Sequence, residues 1–287
     1  SLLSPLSSLL SPLSCRMLSN TIVTIAVIAV TVAIGWITVR ARRARHPVAK
    51  WAGILAGAFV GIILAFVSVM SVRGMVMLYS PRGKPVRDMK IELTPERVER
   101  GRHIAELQCA SCHTLNGQLP LSGGKNLSDE AHMPLGDLYT INLTPAGPLA
   151  TWSDGEIFRA LREGADNNRR RLPVMSSQRM RNLSDDDIMS VIAYLRSQPP
   201  VQHETPPVRP SFLTVVMGGA GMLPSQPELT TDTIIAPAAD TSLTYGDYTV
   251  GWFGCDECHG PQLTGGGGGV VPKGPSLRSV KNWSRDG

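Results

Sequence analysis

Two runs of the chain carry no polar face at all. Residues 21–39 are almost wholly apolar, rich in β-branched side chains and free of charge. Wound as a helix they would span about 28 Å, close to the hydrocarbon thickness of a bilayer. Residues 51–70 form a second such run. A cleaved leader would explain the first run but not the second, so the pattern predicts two spanning helices. Between them residues 40–50 hold five cations and no acid. By the positive-inside rule this loop stays in the cytoplasm, which puts both the N-terminus and everything after Tyr79 on the outer side. Trp36, Trp51 and Tyr79 fall near the ends of the runs, where amphipathic rings favour the interface. Gly53, Gly57 and Gly61 share one face of the second helix and would let another helix approach closely. The first helix of the same hairpin is the preferred partner, and a helix of another subunit is the alternative.

Beyond residue 80 the pattern changes to amphipathic helices with marked ends. Thr94-Pro95-Glu96 reads as an N-cap followed by proline at the first helical position. Ser153 with Glu156 reads as a capping box, and Gly164 stops that helix. Ser184, followed by three aspartates, starts another, whose Ile188, Val191, Ile192 and Leu195 fall on one stripe until Pro199-Pro200 ends it. Strand alternation is lacking, so residues 80–201 are expected to form a small all-helical domain with long loops. Residues 202–243, rich in Pro, Gly and Met, read as a linker, and 244–287 as a second domain. Residues 1–20 are low-complexity. The first fourteen repeat Ser-Leu-Leu-Ser-Pro-Leu-Ser twice, and translation is expected to start at Met17.

Charge sharpens this division. The 287-residue chain has a mean hydropathy of +0.02, an average over unlike parts. Residues 1–79 contain seven Lys+Arg and no acid, while the remaining 21 Lys+Arg sit with all 23 Asp+Glu, a balance of −2. The basic pI of 9.1 therefore belongs to the hairpin. With no cationic folded surface and 5% aromatic residues, nucleic acid is excluded as a partner.

Four of the five cysteines fall in two copies of Cys-x-x-Cys-His: Cys109, Cys112 and His113, and again Cys255, Cys258 and His259. Cys15 stands alone and is given no role. A disulfide framework would not lock each pair inside one five-residue motif. A thioredoxin-type pair would follow a strand and would not need the histidine. A zinc site would want the two pairs close together, and they are 146 residues apart. Two thiols that can join two vinyl groups, with an imidazole that can turn beneath the iron, are what covalent haem requires. Two c-type haems are the expected cofactors, with His113 and His259 as iron ligands.

A thioether opposite the histidine would close the iron and suit it to electron transfer. Met175, 62 residues after His113 in Leu172-Pro173-Val174-Met175, is the preferred second ligand of the first haem. Met180 is a weaker candidate on the same loop, Met133 follows the motif too closely, Met189 belongs to the last helix, and His103 is badly placed to reach the other face. In the second half, Lys273-Gly274-Pro275-Ser276-Leu277 offers a tight turn whose proline carbonyl could accept the Nδ1 proton of His259. Asn282-Trp283-Ser284 echoes Thr151-Trp152-Ser153, and a methionine loop does not follow. The second domain is therefore expected to be a truncated copy. Arg169-Arg170-Arg171, just before Met175, reads as a solvated loop or as a docking or haem-carboxylate patch. The run from Gly265 to Gly269 reads as a flexible loop, since no Lys-Ser or Lys-Thr follows it.

The part outside the hairpin resembles class I cytochrome c domains in tandem. The first is similar to the multihaem cytochrome subunit of membrane-bound alcohol and sugar dehydrogenases, on the strength of Gly101-Arg102, Asn142-Leu143-Thr144-Pro145, the run Trp152-Ser153-Asp154-Gly155-Glu156 through Gly164, and Leu183-Ser184-Asp185 through Ser197. It differs in having two haem motifs rather than three and an N-terminal hairpin. The fold is expected to be mainly α, a two-helix transmembrane hairpin followed by two tandem cytochrome c domains. The expected function is electron transfer at the periplasmic face of a bacterial inner membrane. Its partners would be redox proteins of a multisubunit membrane complex: a quinol-oxidising complex or dehydrogenase on one side, an oxidase or photosynthetic reaction centre on the other. A dihaem peroxidase and the dihaem subunit of a haem–copper oxidase are the alternatives.

Overall fold

The computed structural model describes residues 12–81, 84–175, 178–223, 233–266 and 273–284. Most of the N-terminal repeat, the end of the glycine run and Gly287 lie outside the described residues.

Helices α1 (Pro12–Ala41) and α2 (Pro47–Tyr79) form an antiparallel hairpin, both long and apolar enough to cross a membrane. Gly53 and Gly57 lie against Ala41 and Thr38 of α1, and Gly61 against Ile34, so the glycine face is filled within the hairpin. A hydrogen bond of 3.1 Å between Thr31 and Ser68 hydroxyls ties the two helices at mid-length. The outward side chains, among them Val32, Phe59, Ile62 and Phe66, remain exposed. Helix α2 runs nine residues past the expected end at Met70, through Arg73 and Gly74. Its 33 residues measure about 50 Å, well beyond a bilayer's apolar core of about 30 Å.

The helical domain that follows is built on α3 (Pro95–Gln108), α4 (Ala110–His113), the short α5 (Leu127–Glu130), α6 (Asp154–Glu163) and α7 (Asp185–Ser197). Its starts are those the side chains announce. Thr94 accepts from the Arg97 N–H, Ser153 and Glu156 form the reciprocal capping box, and Ser184 accepts from the Asp187 N–H. Each such cap satisfies backbone donors that the helix cannot. Gly164 ends α6 in the left-handed region at φ 63°. The stripe Ile188, Val191, Ile192 and Leu195 is fully buried and meets Ile104 and Ala105 of α3. Helices α3 and α7 cross in backbone contact: a Cβ on Gly101 would lie 2.9 Å from the Val191 nitrogen and closer still to the Ser190 carbonyl.

Two polar groups, the partly buried Asp154 and the fully buried Asn142, explain much of the remaining sequence pattern. Asp154 accepts from the Ile91 N–H at 2.9 Å and from Arg196 Nε at 3.0 Å, joining the start of α6 to the end of α7. Asn142 donates to the carbonyls of Val201 and His203 and accepts from the Thr144 N–H and hydroxyl, which clasps the segment leaving α7.

The stretch expected as a linker contains regular structure. Its β2 (Arg209–Pro210) pairs antiparallel with β1 (Gly136–Asp137), and α8 (Phe212–Gly219) follows directly. Helix α8 lies against the end of α2: a Cβ on Gly74 would come within 2.7 Å of the Val215 carbonyl carbon, and one on Gly219 within 2.7 Å of that of Met70. Asn20 of α1 donates to the Pro210 carbonyl at 3.1 Å and to the Tyr79 hydroxyl at 3.2 Å. The helical domain is thus docked on the hairpin. A Gly219→Val substitution is expected to lift α8 off α2, because two backbones at contact leave no space for a branched side chain. Limited proteolysis in detergent, read at residues 201–211, should then be several-fold faster; an unchanged rate would show that the contact does not hold the domain.

Finally α9 (Leu243–Phe253) and α10 (Cys255–His259) carry the second motif. Helix α9 packs on the helical domain, where Trp252, 3% exposed, joins the same apolar cluster as Ile188 and Phe158. The Tyr248 hydroxyl accepts from the Ser184 N–H at 2.7 Å and donates to the Asp187 carboxylate at 2.5 Å.

Candidate haem-attachment sites

Helix α3 ends at Cys109, whose N–H still bonds the Ala105 carbonyl, and the chain turns into α4. The turn is closed by the His113 N–H on the Cys109 carbonyl at 2.8 Å and by the Thr114 hydroxyl on the Ala110 carbonyl at 2.7 Å. Both thiols are free. Cys109 is buried, and burial, with a smaller contribution from Cys112, pushes its thiol up to about 12. Such a thiol stays protonated and is poorly suited to thiolate redox exchange.

His113 Nδ1 lies 2.9 Å from the Ile141 carbonyl. A carbonyl only accepts, so Nδ1 carries the proton and Nε2 keeps its lone pair. Burial pushes the imidazole below its usual value, against the opposing pull of that hydrogen bond, and so favours the neutral form. A neutral imidazole with a fixed tautomer is the form that binds iron.

The second motif repeats this arrangement. His259 Nδ1 donates to the Pro275 carbonyl at 2.7 Å, the bond expected from the proline turn. The backbone around each motif shares a hydrogen-bond pattern. The Gly123 N–H bonds the His113 carbonyl as the Gly265 N–H bonds that of His259, each at 2.8 Å. The Gly124 N–H bonds the Thr140 carbonyl as the Gly266 N–H bonds that of Gly274. The Leu143 N–H bonds the Leu121 carbonyl as the Leu277 N–H bonds that of Leu263, each at 2.9 Å. Ile141 was missed in the sequence because any residue can offer a carbonyl; the paired leucines, two residues beyond Ile141 and Pro275, are the signal that marks it.

Met175 sits on the loop after α6, partly buried against the cluster that contains Cys109. The loop is held by the Leu172 N–H on the Gly164 carbonyl at 2.8 Å and the Gln178 N–H on the Met175 carbonyl at 3.1 Å. The other candidates sit elsewhere. Met180 is buried in the core, Met189 packs on it from α7, and Met133 and His103 are exposed. The arginine run forms a tight turn, with Arg170 paired to Asp166 at 3.3 Å. Beneath it Arg159, 5% exposed, donates to the Asp166 and Asn167 carbonyls, while its buried Nε has no partner among the described residues.

This donor set fits a covalent haem: two thiols on one turn, an imidazole with a free Nε2, a thioether against the same cluster, and a buried cation left with an unused donor for a carboxylate. Residues 98–199 match the family described as Cytochrome c, so this part of the chain is similar to a cytochrome c domain. The expected resemblance to dehydrogenase cytochrome subunits also holds. The chain is 30% identical over 260 residues to a nicotinate dehydrogenase subunit from Pseudomonas putida, covering 82% of this chain and 21% of that one. It is 28% identical over 165 residues to the fructose dehydrogenase cytochrome subunit of Gluconobacter japonicus, covering 53% and 33%.

Proposed function

We propose that the chain is a membrane-anchored dihaem cytochrome c. It would take electrons from a dehydrogenase and pass them to a redox complex in the bacterial inner membrane, with both haems on the periplasmic side. The carrying observation is the repeated environment of the two motifs, in which each histidine donates Nδ1–H to a backbone carbonyl within one pattern of backbone bonds. Cys109, Cys112, Cys255 and Cys258 would hold the two groups. His113, Met175 and His259 would be the iron ligands. When bound, each haem supplies a reversible one-electron couple. The dehydrogenase as donor is supported by the names of the relatives. The cytoplasmic placement of residues 40–50 rests on their five cations.

The protein's own part in the chemistry is positional. The Ile141 and Pro275 carbonyls fix the imidazole tautomer and make Nε2 more basic. The core around Cys109 shields that thiol from water, and Met175 would be the second protein ligand beside His113. A closed iron transfers electrons without binding substrate, which favours a carrier over a peroxidase.

Met175→Leu tests this directly, because it keeps the volume and removes the sulfur. In the purified protein the weak near-infrared methionine–iron band should vanish, the potential of one haem should fall, and that haem should bind added cyanide or carbon monoxide. Retention of the band and of both potentials would remove Met175 from the ligand set.

A further inference from the structure

Arg179 begins the 3₁₀ turn Arg179–Asn182, four residues after Met175. Its guanidinium reaches out of the first domain to the second motif, with Nη2 3.0 Å from Asp256 Oδ2 and Nε 2.9 Å from Glu257 Oε1. Asp256 and Glu257 are the two residues between Cys255 and Cys258. Arg179 and Asp256 are each about a quarter exposed, and the other oxygen of Asp256, Oδ1, is buried with no donor among the described residues. Without Arg179 that carboxylate would be left partly desolvated with neither oxygen paired. The fit is close: a Cβ on Gly254 would lie 3.0 Å from Arg179 Cδ. Asn182, on the same turn, donates to the Gly251 carbonyl at 3.2 Å. One short segment therefore carries Met175 at its start and grips the second Cys-x-x-Cys-His at its end.

We propose that Arg179 is a positioning residue for electron transfer between the two haems. By bridging the segment that follows Met175 to the turn that bears Cys255 and Cys258, it holds the second motif against the first domain. The inference rests on the dihaem reading given above. In the step concerned, one electron leaves a ferrous iron at one motif and reduces a ferric iron at the other. No bond forms or breaks and no proton moves. Arg179 also balances two carboxylates at the second motif, and that charge balance gives the proposal a sign that can be measured.

The test uses the full chain in detergent, with haem per chain counted first and each variant then followed by redox titration and by flash-induced electron equilibration between the haems. Arg179→Gln leaves Asp256 and Glu257 uncompensated. Their negative charge favours ferric iron, so the potential of the second haem should fall. The double variant Asp256→Asn with Glu257→Gln leaves the arginine uncompensated, and the same potential should rise. Both should slow equilibration several-fold, because the bridge that holds the two motifs together is lost. Arg179→Lys keeps the charge but not the two-pronged reach, so it should restore the potential and only part of the rate. If Arg179→Gln fails to fold, the double variant reads the same bridge from its more exposed side. One haem per chain in the unaltered protein would overturn the dihaem reading and this inference with it. Two haems, with potentials and rate unmoved in the variants, would overturn the role of Arg179 alone.

Discussion

Replacing Cys255 and Cys258 with alanine is expected to halve the covalently bound haem, from two per chain to one, while leaving the first domain folded. Each motif would hold its haem by its own two thiols, and the second motif's thiols are only half-buried. The contacts that join this half to the first domain come from elsewhere, from Trp252, Tyr248 and Asn182. Removing two sulfurs leaves these intact. The remaining haem should keep its methionine–iron band and one reversible redox step. The matching change at Cys109 and Cys112 should be far more damaging, because Cys109 lies inside the cluster with Ala105 and Ile192. Haem staining on denaturing gels, with a haemochrome assay for stoichiometry, reads both variants. An unchanged haem count after losing Cys255 and Cys258 would show that the second motif holds none.

Gly101→Val is expected to be the most destabilising single substitution outside the motifs. Here α3 and α7 touch backbone to backbone, so any Cβ would stand inside the Ser190 carbonyl. The helices cannot move apart locally, because Ile104, Ile188 and Ile192, fully buried, interlock on either side. Overpacking a core usually costs about 1–3 kcal/mol, and here the obstacle is main chain and not a side chain that could swing away. A loss of about 3 kcal/mol or more is expected, which for a domain of this size lowers the thermal midpoint by more than about ten degrees. The melt is followed by circular dichroism and by the haem absorption. A change below about 0.5 kcal/mol, the scale of an ordinary surface substitution, would mean that the crossing is looser than its geometry.

How much of this was legible in the sequence depended on the range of the forces involved. Thr94, Ser153 and Ser184 could be read because capping is a contact over three residues, written in side chains that do little else. The hairpin could be read because a run without polar groups has few alternatives, although Arg73 and Gly74 concealed the last turns of α2. The motif histidines could be read from their spacing, and the Pro275 carbonyl from the rigidity of its turn. The fold-back of 209–219 could not. Helix α8 has only eight residues, and its two terminal glycines look like linker until Met70 and Gly74 are found against them. Nor did Trp252 reveal that it belongs to the core of the first domain, or Arg179 that it reaches 77 residues along the chain to Asp256. Those contacts are made only after the helices have packed, and local pattern carries no trace of them.

A carrier with two haems in one membrane-anchored chain, the first closed by Met175, is tested most directly by a spectroelectrochemical titration of the detergent-solubilised full-length protein. Two reversible one-electron steps are expected, with the methionine–iron band of the first haem present and no spectral change on adding peroxide. A single step, or a five-coordinate haem that reacts with peroxide, would contradict it.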